Sequence, residues 1–320
     1  MTQPLLSIVI ANYNYGRFLE EAIQSVIAQD MGDGVELIIC DAASKDNSVE
    51  IIRKYANGLP QNTSYADWIA SHHPSSSITH PLITWWCSEK DGGQSAAFNK
   101  GFSHARGRFL TWLNADDVIL PGTLKKLEEA INKHPTCEWF VGGVLWLTKD
   151  MRVIRCGRSR HMSQQRAERG IVNVCGPSSF FTKELLSRAG GIDERNQYTM
   201  DTDLWLRFAL NEKVSFIPFR RYAWGLRLHE DAKMSGHNFN PDGTLAVNAF
   251  TDEALHKNEK RRRQLAAEDA WMREKLPPLK KKSGRLIDLM CADWGPALMS
   301  RLDTRKVSGM HYLEALEIVG

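Results

Sequence analysis

The chain has 320 residues and a formal net charge of +3 at pH 7, and 42% of its residues are hydrophobic. That length allows one large domain or a domain with an appendage, and the apolar content excludes disorder as the dominant state. The near balance of charge gives no support for a nucleic-acid partner. No apolar run approaches the roughly 20 residues of a membrane-spanning helix, and the N-terminus lacks the basic start of a signal peptide. The six cysteines form no C-x-x-C pair, so we expect a reducing cytoplasm and no zinc site.

The first part of the chain alternates apolar runs with amphipathic segments. Runs rich in β-branched residues predict buried strands at 5–11 and 35–40, each followed by helical periodicity. A β-α-β-α opening predicts a parallel sheet with right-handed crossovers. The segment at about 57–80 is rich in Pro, Ser, Asn and His, so we expect a surface insertion there, with a short helix near 65–70.

The alternation resumes after the insertion. Strands are predicted at 82–87, 108–113, 139–147, 153–156, 214–217 and 221–228, and helices at 95–105, from Leu120 with proline in the first turn, from 182 and over 201–210. Strand signals stop near residue 241. We therefore expect a domain over 1–240 and a helical C-terminal region over 241–320.

Two basic runs, 260–263 and 280–282, lie in that C-terminal region. Such runs are ordinarily the solvated surface of a helix. The alternative is contact with an anionic membrane surface or an acidic carrier.

Acidic residues follow two predicted parallel strands. Asp41 follows one, and Asp116 and Asp117 follow another, which places them at the sheet edge where α/β proteins bind ligands. Converging carboxylates repel, and their hard oxygens suit Mg²⁺ or Mn²⁺ with a phosphate as the other ligand. The alternative is that Asp117 and Asp46 only cap the helices that follow them.

The familiar phosphate-binding and hydrolase motifs are missing from the sequence. It contains no G-x-G-x-x-G, G-x-x-x-x-G-K-[ST], G-x-S-x-G or H-E-x-x-H. A phosphate held by metal and carboxylates without a glycine cradle indicates a nucleotide-sugar or nucleotidyl transferase.

A set of short segments resembles the family 2 glycosyltransferases, in the same order along the chain. The segments are 7–14 (SIVIANYN), Asp41, 88–94 (SEKDGGQ), 99–101 (NKG), 113–117 (LNADD), 176–181 (GPSSFF), 190–193 (GGID), 200–207 (MDTDLWLR) and 227–229 (RLH). The resemblance covers about residues 4–235. It implies the GT-A fold, an α/β architecture with a Rossmann-like, mixed but mostly parallel sheet flanked by helices, here followed by a helical appendage.

The resemblance also implies which residues bind the donor. These are Ala11, Asn12, Tyr13, Asp41, Asp91, Asn99, Asn114, Ala115 and Asp116. The segment 11–13 would touch the nucleotide base, and Asp41 the base or the ribose. Residues 114–116 match the D-x-D motif, in which Asp116 would bind Mn²⁺ or Mg²⁺ on the diphosphate. His229 would be a further metal or phosphate contact.

Asp201 matches the catalytic base of the family, with Asp203 just behind it on the predicted helix. Three departures weaken the match. Asn114 replaces the first Asp of D-x-D, Ala42 and Ala43 replace a loop that is usually richer in glycine and acid, and Met200 stands where the base motif usually has Glu.

The implied function is transfer of a sugar, with inversion, from a UDP-, GDP- or dTDP-sugar to a hydroxyl of a glycan or lipid-linked acceptor in bacterial-type surface polysaccharide synthesis. The expected location is the cytoplasm, including peripheral contact with the inner face of the membrane through the C-terminal region. Two alternatives stay open, a catalytically inactive binder of nucleotide-sugar or glycan, and a nucleotidyltransferase that makes the sugar nucleotide.

Overall fold

A computed structural model of the chain describes residues 3–29, 34–56, 61–62, 83–159, 164–169, 174, 176–229, 231–232, 259–278 and 294–319. The expected insertion at 57–80 lies outside these residues except for 61–62, and so do the helix near 65–70 and the basic run at 280–282.

The described strands form one mixed sheet. They are β1 (Leu6–Asn12), β2 (Val35–Asp41), β3 (Ile83–Ser88), β4 (Phe109–Asn114), β5 (Val118–Ile119), β6 (Trp139–Leu147), β7 (Val153–Gly157), β8 (Ser179–Thr182) and β9 (Ile217–Arg227). Their order is β3-β2-β1-β4-β8-β6-β9-β5, and β7 pairs with β6. Strands β1 to β4 pair in parallel, as predicted, and β8 joins the two halves through antiparallel pairs.

The register of the parallel strands brings the expected site residues to one edge. Asn12 at the end of β1 pairs with Asp41 at the end of β2, and Asp41 pairs with Ser88 of β3. On the other side of β1, Ala11 pairs with Asn114. Every one of these strands therefore ends at the same level, and their following loops share one cleft.

Helices cover both faces of the sheet. They are α1 (Gly16–Ile27), α2 (Ser48–Tyr55), α3 (Gln94–His104), α4 (Thr123–Lys133), α5 (Gln164–Ala167), α6 (Lys183–Arg188), α7 (Met200–Leu206), α8 (Glu259–Lys275), α9 (Trp294–Val307) and α10 (Tyr312–Val319). Strand β1 shows why both faces are apolar, since Ile8 and Ile10 join the core under α1 while Val9 joins the core under α3. This is the near-continuous apolar character expected of a buried parallel strand.

The second half of the sheet differs from its prediction. The two strands predicted at 214–217 and 221–228 are one strand, β9, and the two short strands β5 and β8 were not predicted. Helix α4 begins at Thr123, after Gly122 in the left-handed region at φ 72°, so the proline before it lies outside the helix. The predicted helix over 201–210 is α7 followed by a π-helical turn over Arg207–Asn211.

The C-terminal helices pack against the sheet domain. Met272 of α8 and Leu276, the residue after this helix, are buried in the core that also contains apolar side chains of α7. Helix α9 covers the free edge of β7, where Thr304 Oγ1 accepts from the amide of Cys156 at 2.9 Å and Ser300 Oγ accepts from the amide of Arg158 at 2.9 Å. These bonds satisfy edge groups that would otherwise be open to pairing with another strand.

In the part of the chain that the structure describes, no helix combines the length and apolar content needed to cross a bilayer.

Candidate active site

A cavity of about 1580 Å³ opens at the carboxyl edge of the parallel strands. Its walls come from the ends of β1, β4 and β9, the loops after β2 and β3, the start of α7, and Leu265 of α8. Of the residues expected to bind donor or act as base, those in its wall are Ala11, Asn12, Tyr13, Asp91, Asn114, Ala115, Asp116 and Asp201. The remaining three, Asp41, Asn99 and His229, lie behind the wall.

Asp41 supports the wall from behind and is 1% exposed. Its carboxylate accepts from Asn12 Nδ2 at 2.7 Å, from the Ser44 amide at 3.0 Å and from Ser88 Oγ at 2.6 Å. These donors occupy the oxygens that would face a base or ribose. The structure therefore places Asp41 as the anchor of the three strand ends, with Asn12 between it and the cavity.

Asn99 also faces away from the cavity. Its Nδ2 donates to the carbonyl of Ile192 at 2.8 Å and to Glu194 Oε1 at 3.0 Å, and its Oδ1 accepts from the Ile192 amide at 3.0 Å. The side chain thus fixes the segment that leads toward α7, and these bonds engage both its amide nitrogen and its amide oxygen.

The loops after β1 and β2 hold each other in an unusual backbone conformation. Asn14 and Ala43 have φ values of 57° and 55°, in the region that favours glycine. Asn14 Oδ1 accepts from the Lys45 amide at 2.8 Å, and the Asn14 amide donates to Ser44 Oγ at 2.8 Å. Ala43 therefore adopts a backbone conformation that favours glycine, and the hydrogen bonds of the neighbouring residues hold the loop in place.

The segment after β4 carries a buried carboxylate, Asp117, next to a partly exposed one, Asp116. Asn114 Oδ1 accepts from Gln94 Nε2 at 2.9 Å, and its Nδ2 donates to Asp117 Oδ2 at 2.8 Å. Asp117 also accepts from the Arg227 amide at 2.9 Å. Burial, and then the neighbouring Asp116 carboxylate, raise the pKa of Asp117 well above its ordinary value. Asp117 does not cap α4, because the residue before that helix is Gly122.

Asp116 is the carboxylate that faces the cavity, and His229 lies behind it. The distance between His229 Nε2 and Asp116 Oδ2 is 3.1 Å, and His229 is 1% exposed. The rings of Tyr15 and Phe18 pack against the imidazole at centroid distances of 5.7 Å and 4.7 Å. Burial and the nearby Asp116 raise the pKa of Tyr15, so this phenol stays neutral.

The residues around Asp116 fit a divalent cation that a ligand helps to hold. The Asp116 carboxylate and the His229 Nε2 are donors that Mn²⁺ accepts, and Mg²⁺ accepts the carboxylate. Burial raises the pKa of Asp117 most and the neighbouring Asp116 carboxylate raises it further, and a cation beside Asp116 would offset the second of these two causes. Across the described ranges, no group of three or more His, Cys, Asp or Glu side chains could hold a metal ion.

Asp201 and Asp203 have different surroundings although they share α7. Asp201 lines the cavity, and its Oδ1 accepts from the Thr202 amide at 2.7 Å. Asp203 is fully buried and binds Arg207 through Nε at 2.9 Å and Nη2 at 2.7 Å. Of the two, Asp201 is the carboxylate that lines the cavity.

The sequence motifs missed the contribution of α8. Leu265 of this helix lines the cavity, and Glu268 binds the segment just before α7. The face of α8 that packs inward carries Leu265, Glu268, Met272 and Lys275, which are spaced by three or four residues. Because half of these positions are charged, no apolar stripe marked the face as buried.

Comparisons with known proteins bear on the family and on the fold. The family model described as Glycosyl transferase family 2 matches residues 7–188. The glycosyltransferase alr2836 of Nostoc sp., itself uncharacterised, is 34% identical over 39% of this chain and 32% of its own length. The minor teichoic acid biosynthesis protein GgaB of Bacillus subtilis is 30% identical over 40% of this chain and 12% of its own length.

Among solved structures, the mannosyltransferase PcManGT of Pyrobaculum calidifontis, in complex with GDP-Man and Mn²⁺, matches with a TM-score of 0.51 at 18% identity. The match covers 99% of this chain and 87% of PcManGT, which is a likeness of fold. The chain spans 32% to 61% of the length of the first three curated relatives that it matches.

Proposed function

Because this chain belongs to glycosyl transferase family 2, we propose that it transfers a sugar from a nucleotide-diphosphate donor to an acceptor hydroxyl, with inversion at the anomeric carbon. The observation that carries the proposal is that Asp116 and Asp201 line the same cavity, one on the sheet edge and one on α7. A cavity of about 1580 Å³ has room for a nucleotide-sugar together with an acceptor.

The donor would lie along the ends of β1 and β4. Asn12 and Tyr13 would contact the base, with Asp41 holding Asn12 in position. Asp116 would face the diphosphate with His229 behind it, and these two residues would hold Mn²⁺ or Mg²⁺. When bound, the cation neutralises the charge that develops on the leaving diphosphate.

Asp201 would accept the proton of the acceptor hydroxyl as that oxygen attacks the anomeric carbon. The attack comes from the face opposite the diphosphate, so a single displacement inverts the carbon. A positioned general base typically contributes about 10²–10⁴ in rate. We do not propose this role for Asp203, because its side chain is 0% exposed and its Oδ2 pairs with Arg207.

We propose a glycan or lipid-linked acceptor in surface glycan synthesis, supported by family membership and by the teichoic acid name of the relative GgaB. The C-terminal region supports peripheral contact with an anionic membrane from the cytoplasmic side. On α9, the apolar Met299 and Leu302 are exposed beside the basic Arg301 and Arg305. Flotation of the full chain with anionic liposomes at low salt tests this contact, and a chain that stays with the liposome-free fraction contradicts it.

The donor half of the proposal is tested by thermal shift against UDP-, GDP- and dTDP-sugars with and without Mn²⁺. A ligand at 100 times its Kd raises stability by about 2.7 kcal/mol. We expect one nucleotide class to raise the melting temperature in the presence of Mn²⁺, and Asp116→Ala to remove that Mn²⁺-dependent increase. An equal increase in Asp116→Ala would take Asp116 out of the metal site.

The transfer half is tested by release of nucleoside diphosphate from the donor that binds. With Asp201→Asn we expect nucleotide affinity within a few-fold of the wild type and release slower by about 10²–10⁴. A wild-type chain that binds a nucleotide-sugar but releases no diphosphate with any glycan or lipid-linked acceptor would be a binder and not a transferase.

A further inference from the structure

Helix α8 lies against the segment that leads into α7, and a carboxylate on α8 binds that segment. Glu268 is fully buried. Its Oε1 accepts from the amide of Gln197 at 2.9 Å, and its Oε2 accepts from the amides of Tyr198 at 3.0 Å and Thr199 at 2.9 Å. Three consecutive backbone N–H groups therefore converge on a single side chain about 70 residues further along the chain.

Side chains complete the set of donors around the same carboxylate. Thr199 Oγ1 donates to Oε2 at 2.9 Å, and Gln264 Nε2 donates to Oε1 at 3.1 Å. Burial alone would raise the pKa of Glu268, but the hydrogen bonds from Gln197 and its neighbours lower it below its ordinary value. The group is thus a fully satisfied buried anion.

A second contact joins α8 to α7 two helical turns later. Lys275 Nζ pairs with Asp193 and lies 3.6 Å from Asp203 Oδ1. Both Glu268 and Lys275 lie on the inward face of α8. The segment 193–203 is therefore held at both of its ends by one helix.

The held segment forms two parts of the cavity. Tyr198 and Thr199 line it directly next to Asp201. Gln197 packs on the donor-side loop, where a Cβ added to Gly93 would lie 2.7 Å from Gln197 Oε1. A shift of this segment would therefore move the carboxylate of Asp201 relative to the donor.

We propose that Glu268 is a positioning residue that fixes the segment 197–199 and, through it, sets where the Asp201 carboxylate stands in the cavity. The inference rests on the proposed role of Asp201 as the base. Glu268 does not reach the reacting atoms, since its two oxygens are occupied by the five donors named above. Helix α8 thereby becomes part of the catalytic apparatus, although the motif residues all precede it.

The test compares Glu268→Gln with Asp269→Asn in the full chain. The first variant turns an amide N–H₂ toward backbone donors that need an acceptor. The second removes the charge of the adjacent residue, whose carboxylate is half exposed and pairs with Arg273 on the same helix. Both substitutions convert a carboxylate into its amide. A difference between the two variants is therefore due to the hydrogen bonds of Glu268 and not to the loss of one negative charge from α8.

Hydrogen exchange of the 196–203 peptide gives a readout that needs no substrate. Hydrogen bonds to charged groups are strong, so we expect amide exchange at 197–199 to be at least about tenfold faster in Glu268→Gln and unchanged in Asp269→Asn. In Glu268→Gln we expect the kcat for release of nucleoside diphosphate to fall about tenfold or more, with the affinity for nucleotide and Mn²⁺ within twofold of the wild type. In Asp269→Asn we expect the wild-type kcat. A Glu268→Asp variant, which keeps the charge, should recover part of the rate.

Failure of the inference and failure of the base are distinguishable. If Asp201→Asn is slow while Glu268→Gln keeps its full kcat, or if the exchange at 197–199 does not change, the positioning role is wrong and the base stands. If Asp201→Asn itself keeps the full rate, the proposed base is wrong and the inference falls with it. A Glu268→Gln chain that loses nucleotide affinity more than tenfold would also overturn it, because the effect would then lie on the donor side.

Discussion

The two aspartates of α7 should respond in opposite ways to the same substitution. Asp203 and Arg207 form an ion pair in which the side chains are 0% and 6% exposed. Replacing Asp203 by asparagine leaves the guanidinium buried without a counter-charge. Losing one partner of a buried pair typically costs about 3–5 kcal/mol.

The loss of stability in Asp203→Asn should lie at the lower end of that range. Arg207 Nη1 still donates to the carbonyls of Ala189 and Gly191, and the asparagine oxygen can accept one of the bonds now made to Asp203. We therefore expect a loss of about 3 kcal/mol, which in a chain of this size lowers the melting temperature by about 6 °C.

Asp201→Asn should leave stability almost unchanged. Its carboxylate binds the amide of Thr202 next to it, and an acid in the first turn of a helix contributes about 0.3–1 kcal/mol through the helix dipole. Calorimetric melting and diphosphate release at 25 °C, where both variants are folded, measure the two effects separately. We expect Asp203→Asn to be less stable but active, and Asp201→Asn to be stable but slow.

An outcome with the roles exchanged would refute this interpretation of α7. If Asp203→Asn melts with the wild type and loses turnover while Asp201→Asn remains active, the base is Asp203. A double variant, Asp203→Asn with Arg207→Met, checks the cause of the instability. Because it removes both charges, it should be more stable than Asp203→Asn alone.

Three further predictions follow from the packing around the site. Glu268 and Asp193 have pKa values below their ordinary range in the folded chain. Their contribution to stability is therefore present above about pH 4.5 and is lost as the pH falls through the folded pKa values. Melting scans should show this loss from about pH 5 to pH 3, and a smaller loss in Glu268→Gln. Asn114→Asp should not strengthen Mn²⁺-dependent nucleotide binding in calorimetry, because the new carboxylate would meet Asp117 where an amide now donates at 2.8 Å. Deleting 294–319 uncovers the edge of β7, so light scattering should show aggregation.

The donor side of the site could be predicted because it depends on local rules. Apolar runs fixed β1, β2 and β4 to within about two residues, and parallel pairing then required their following loops to meet. Asp116 was found this way. The burial of Asp41 was not, because a strand-end carboxylate looks the same in sequence whether it faces the cleft or binds Asn12 behind it.

The second half of the sheet was less predictable for a physical reason. Strands β5 and β8 have only two and four residues, too few for a period to show. Their pairing partners are supplied by β9, β4 and β6. Strand β9 was divided in two because its residues 218–220, Pro-Phe-Arg, interrupt the apolar pattern, yet it pairs with β6 on both sides of that interruption.

Only part of the candidate site lies within the residues that the family model matches. The matched residues 7–188 contain the donor-side wall and Asp116, whereas Asp201, His229 and Glu268 all follow them. A nucleotide diphosphate presents the same groups to every member that uses it, so short motifs suffice to hold it. The proposed base must instead be aligned with an acceptor, and we propose that its alignment depends on Glu268, a buried carboxylate from a helix that no motif marks. If the proposed activity is right, the residues that select the acceptor hydroxyl are to be sought on α8 and on the segment that leads into α7, because Leu265 and Tyr198 from these two elements line the cavity.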